Sequence, residues 1–135
     1  MTTAAVQRVT FVALTILLTS ARRGSAQHMN AKDAPCQAGP NAEQTRCFLE
    51  AAKAADRELN LVYNKIRAAL SPADQSKLQI AQRLWVQFRD ANCVAERELY
   101  DGGSAAPMAY EACLGADTRQ RTTELNVMYG WRLEK

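Results

Sequence analysis

The sequence predicts an all-α fold, a small antiparallel three-helix bundle held by two disulfides. Apolar residues recur at alternating spacings of three and four through stretches free of Gly and Pro, the pattern of amphipathic helices. Ser71-Pro72 and Gly102-Gly103 punctuate these stretches. Four cysteines follow a leader of the export type, and cysteines in a small exported domain pair. No strand alternation and no internal repeat competes with this reading.

The leader comes first. Arg8 precedes an apolar run from Val9 to Leu18, broken only by Thr10 and Thr15. Gly24-Ser25-Ala26 then supplies the small residues that a signal peptidase needs. Residues 1–26 are read as a signal peptide, with Gln27 as the mature N-terminus and a cut after Ala21 as the second option. The run is shorter than the roughly 20 apolar residues that span a bilayer. Arg22-Arg23 follow it, so they are no twin-arginine signal, and neither cleavage site has a cysteine to accept lipid. The expected product is secreted, into the periplasm, and not membrane-anchored.

The leader holds three of the 17 basic side chains and none of the 14 acidic ones, so the remainder is balanced at 14 of each. A balanced surface argues against nucleic acid or an anionic membrane as partner.

Residues 27–40 are polar and interrupted by Pro35, Gly39 and Pro40, which predicts an irregular N-terminal arm before a helical domain at 41–135. The first helix is expected over 43–70, with Phe48, Ala52, Ala55, Leu59, Val62, Ile66 and Ala69 as its seam. Ser71 caps the second helix, with Pro72 in the first helical position and Asp74 near the positive end of the dipole. That helix is expected to reach about Tyr100, with Leu78, Ala81, Trp85, Phe88, Asn92, Ala95 and Leu99 facing inward. The third begins between Ser104 and Pro107 and reaches about Leu133, with a thinner seam of Leu114, Thr118, Arg121, Leu125 and Met128. Gly115 within it costs up to about 1 kcal/mol relative to Ala.

Cys93 and Cys113 are equidistant from Gly103, so antiparallel helices place them at one height. Cys36–Cys47 then pins the arm, and this pairing is favoured. Cys47 and Cys93 are also nearly equidistant from the Ser71 turn, so Cys47–Cys93 with Cys36–Cys113 stays open.

The usual catalytic sets are missing. His28, the only histidine, lies in the arm, away from any core site. The cysteines lack C-x-x-C spacing, and no phosphate-cradling glycine loop occurs. No catalytic residue, metal site or cofactor is expected, and Asp90, Glu96 and Asp101 read as solvated helix faces. More informative are polar residues on or beside the inner stripes: Asn60 and Tyr63, then Gln82, Trp85 and Arg89 on one helical face, then Arg121 in line with Leu125. A buried guanidinium needs a partner, and Asp90 is the first candidate for Arg121. A polar layer that fixes helix register is favoured over a ligand groove.

Cys47, Leu59-Asn60-x-x-Tyr63, Leu78-x-x-x-Gln82-Arg83-x-Trp85-x-x-Phe88-Arg89-Asp90-x-x-Cys93, Gly102-Gly103-Ser104, Cys113 and Thr118-x-x-Arg121-x-x-x-Leu125 together resemble the lysozyme inhibitor LprI family over residues 36–125. The resemblance implies an exported, disulfide-linked helical domain whose partner is a lysozyme-type glycoside hydrolase. The namesake is a lipoprotein, a feature this leader does not share. Lysozymes cut glycosidic bonds with two carboxyl groups lining a cleft. The connection Tyr100-Asp101-Gly102-Gly103-Ser104 is the candidate target-binding loop: it offers a ring, two closely approachable backbone amides and a hydroxyl. The same residues also suit a plain helix stop and turn. The alternative function is a non-inhibitory envelope module that binds another partner, such as peptidoglycan.

Overall fold

A computed structural model describes residues 27–36 and 38–134; the expected signal peptide lies outside the described residues. Among them are three helices, α1 (Asn41–Ala69), α2 (Pro72–Glu98) and α3 (Ala106–Tyr129), with single 3-10 turns at His28–Asn30 and Gly130–Arg132 and no strand. No helix of the described residues is long and apolar enough to cross a membrane. The bridges are Cys36–Cys47 and Cys93–Cys113, the favoured pairing.

Local chemistry sets the boundaries. Ser71 Oγ accepts from the Asp74 backbone N–H at 3.3 Å, and Pro72 opens α2 where no amide donor is needed. At the other end of α2, Asp101 (φ 48°) and Gly102 (φ 72°) adopt left-handed backbone, which ends the helix and turns the chain toward α3.

The α1 seam is largely as expected: Phe48, Ala55, Leu59 and Ile66 are buried, Ala52 and Val62 half-buried, and Ala69 exposed. Leu59, Ile66, Leu78 and Leu125 close the core near the Ser71 turn. Phe48, Met108 and Ala112 close the opposite end, together with Ala34 and Cys36 of the arm. Between them, Gly115 lets the helices approach: a Cβ there would stand 3.3 Å from the Ala52 Cα. Its helix-propensity cost is offset by this close packing.

The inward stripe expected for α2 is corrected. Leu78 is buried and Trp85 half-buried, but Ala81, Asn92 and Ala95 are exposed, and so are Phe88 (65%) and Leu99 (71%). The face that α2 turns to α3 is polar instead. Arg97 lies over the Tyr110 ring, Asn92 bonds Asp117, Arg89 bonds Thr118, and Arg121 bonds Gln82. The thin seam expected for α3 is corrected as well. It lies between α1 and α2 and buries two faces, including Met108, Ala109, Ala112, Gly115 and Thr122, whereas Met128 is exposed. A helix buried on two sides has no single apolar stripe.

Glu111 of α3 is half-buried, and burial raises its carboxyl pKa against the opposing pull of Lys53. The folded state therefore holds this proton more tightly than the unfolded chain. Stability falls as pH rises from the ordinary carboxylate range through the raised value. Glu111→Gln is expected to flatten that slope and raise stability at neutral pH by less than about 1 kcal/mol, given the solvent screening at this site. Urea midpoints at acidic and neutral pH check it.

Candidate functional site

The sequence-predicted residues fall into two places. The first is the α2–α3 connection. Cys93 and Cys113 bridge the helices below it, with Cα atoms 5.4 Å apart. The Gly103 amide donates to the Tyr100 carbonyl at 2.7 Å, and Asn41 Nδ2 donates to Ser104 Oγ at 3.0 Å, tying the connection to the start of α1. Asp101, Gly102, Gly103 and Ser104 are exposed, so they form a convex tip.

Tyr100 does not project with them. It is half-buried, and its hydroxyl is closed off from solvent without a hydrogen-bond partner. Burial, and then the Glu96 charge, push its pKa up. Tyr100→Phe is therefore expected to stabilise the fold by up to about 1 kcal/mol, because an unpaired buried hydroxyl is costly. Thermal unfolding of the two proteins measures this, and equal or lower stability of the variant would refute it.

The second place is the polar layer. Arg121 is buried, but Asp90 is not its partner. Its Nε donates to Gln82 Oε1 at 3.1 Å, and it pairs with Glu124 at 3.2 Å, one helical turn along. Asp90 instead takes two bonds from its neighbour Arg89, at 2.8 and 3.0 Å. The guanidinium carbons of Arg89 and Arg121 lie 5.1 and 5.7 Å from the Trp85 ring centre, within cation–π range. Thr118 Oγ1 accepts from Arg89 at 3.3 Å. Trp85 is thus held by two guanidinium groups, Arg89 of its own helix and Arg121 of α3, which are themselves fixed by hydrogen bonds. On the α1 side the same residues open outward: Asn60, Tyr63, Gln82, Trp85 and Arg89 line a groove of about 540 Å³ between α1 and α2. Gln82, Trp85 and Arg89 belong both to the register layer and to the groove wall.

The expectation that His28 stays in the arm away from any core site, and that Glu96 is a solvated helix face, is corrected. The His28 backbone N–H donates to Glu96 Oε1 at 3.0 Å, its Nδ1 lies 2.6 Å from Glu96 Oε2, and its Nε2 lies 3.6 Å from Asp117. The histidine locks the arm onto α2 and α3 beside the Cys93–Cys113 bridge. No local signal announces a partner 68 residues away. Asp117 and Cys113 also lie near this ring, but Cys113 is committed to its disulfide, so the cluster offers a metal only two of its three ligands.

The family described as "Lysozyme inhibitor LprI" matches residues 31–125. The uncharacterized protein R02472 of Rhizobium meliloti (strain 1021) is 36% identical over 86 residues, covering 54% of this chain and 62% of that protein. The chain therefore spans less than two thirds of that curated relative. No solved structure gives a significant match. With the family pattern matched from the arm to the end of the α3 core, the chain belongs to the lysozyme inhibitor LprI family.

Proposed function

We propose that this protein is an exported, non-catalytic inhibitor of a lysozyme-type glycoside hydrolase, and that the α2–α3 tip enters the enzyme's cleft. Residues 1–26 are removed on export to the periplasm, and residues 41–135 form the inhibitory domain. The observation that carries the reading is the exposed tip at Asp101–Ser104, fastened by a disulfide below and by Asn41 at its side. A loop fixed before binding loses little conformational entropy on docking. Backbone amides at Gly102 and the Ser104 hydroxyl supply donors for the two carboxyl groups that such clefts carry. Electrostatic steering contributes little, because acidic and basic side chains are balanced outside the leader.

The test is lysis of peptidoglycan suspensions by a panel of lysozymes with and without the oxidised protein. Ser104→Trp is the informative variant, since Ser104 is exposed and its change leaves the core alone. Gly103 is less suitable, because a Cβ there meets the Tyr100 carbonyl at 3.0 Å. Inhibition of at least one lysozyme is expected, weakened at least about tenfold by Ser104→Trp, in line with the loss of one well-packed contact. No inhibition across the panel would reject the reading.

A further inference from the structure

The α1–α2 groove lies well away from the tip, toward the Ser71 turn, and the inhibitory reading makes no use of it. It exists because α2 leans on α3 and meets α1 only near that turn, where Leu59, Ile66 and Leu78 share a core. Its volume of about 540 Å³ is that of a small-ligand site.

The chemistry of the walls selects a ligand class. Tyr63 and Trp85 are half-buried, so each keeps part of its ring toward the groove. Planar amides stand beside them. Asn60 Nδ2 is taken by Asp56 Oδ2 at 3.1 Å, which leaves the Asn60 carbonyl to accept. Gln82 Oε1 is taken by Arg121, which leaves the Gln82 amide N–H groups to donate. Gln79 on the rim adds both functions. Donors and acceptors therefore alternate around aromatic surface, with Gln82 oriented in advance by Arg121 of α3 and Asn60 by Asp56 of α1. An acyl chain needs walls with few polar groups. A phosphate or polyanion needs an excess of cations, yet Asp56 offsets Arg83 and Asp90 neutralises Arg89. Hydroxyls above and below an apolar C–H face suit such walls well, and that is the surface of a sugar ring.

We propose that the α1–α2 groove is a saccharide-binding site, taking one or two neutral sugar rings against Tyr63 and Trp85, with Asn60, Gln79 and Gln82 reading the hydroxyl or amide substituents. The site is independent of the tip, so its failure and that of the inhibitory reading are separate events.

The chain has two tryptophans, and Trp131 lies outside the groove. In a Trp131→Phe background Trp85 is the sole indole, and its emission reports occupancy of the groove. The oxidised protein is titrated, with no lysozyme present, with N,N′-diacetylchitobiose, cellobiose and maltose, and separately with solubilised peptidoglycan glycan strands. A saturable change with any of the four is expected, weakened about tenfold or more by Asn60→Ala and by Gln79→Ala, as loss of a directed hydrogen bond implies. Both positions are exposed, so these variants keep the core intact. Response to a free disaccharide identifies a small-sugar site, and response to the strands alone identifies a cell-wall glycan site. Absence of a saturable change with all four probes, or a change that both variants leave intact, would overturn the proposal.

Discussion

Replacing Cys93 and Cys113 together by alanine is expected to cost about 3 kcal/mol of folding stability and to abolish inhibition. The bridge closes a loop between positions 20 residues apart, and the chain-entropy relation gives about that value for such a loop. The effect is selective as well as large. α1 and α3 are joined by buried Phe48, Leu59, Ile66, Met108 and Leu125, whereas α2 meets α3 mainly through polar pairs. Such pairs exchange water for protein partners at modest net gain, so the disulfide carries much of the α2 attachment. Native-state amide exchange of the double variant should show α2 opening well before α1 and α3. The same change at Cys36 and Cys47 should loosen the arm, which His28 still ties to α2 and α3, and leave the α2–α3 tip in place. Equal loss of inhibition from both pairs would contradict this division.

Gly115→Leu is expected to destabilise by about 3 kcal/mol. A Cβ at Gly115 already meets the Ala52 Cα at 3.3 Å and its N at 3.5 Å, and this is backbone, which does not swing aside as a side-chain end does. A leucine has to push α1 and α3 apart along their main contact, at the upper end of overpacking costs. Gly115→Ala separates the causes. It recovers up to about 1 kcal/mol of helix propensity while asking the Ala52 backbone to yield by a few tenths of an ångström. Its net effect should lie well below that gain. Chemical denaturation of the three proteins decides the matter, and a fully stabilised Ala variant would mean that the approach is looser than described.

Much of this architecture was legible from residues alone, for physical reasons. The α1 seam reads plainly because α1 buries one face. Ser71-Pro72 reads plainly because cap and first-turn chemistry is local. Equal distances to a Gly-Gly turn favour Cys93–Cys113, but near-equal distances to the Ser71 turn leave Cys47–Cys93 open in the sequence, and the fold decides between them. What failed was decided by tertiary contacts. Apolarity alone points Phe88 and Leu99 inward, yet α2 turns Gln82, Arg89 and Asn92 toward α3, since their partners there satisfy them. Charge alone matches Asp90 to Arg121, but Arg89, next in sequence, claims it. His28 gave no sign of its role, because Glu96 and Asp117 are brought to it only by the fold. Within the candidate site, the sequence puts Gln82, Trp85 and Arg89 on one helical face and Asn60 and Tyr63 beside another seam, but the groove they border together depends on how far α2 stands from α1, a distance that no motif encodes.

The claim that the tip is what meets the enzyme is tested most directly by amide hydrogen exchange on the complex with an inhibited lysozyme. The account predicts new protection concentrated at Asp101–Ser104 and at the flanking start of α1. Protection confined to the α1–α2 groove or to the exposed face of α2, with the tip exchanging as in the free protein, would contradict it.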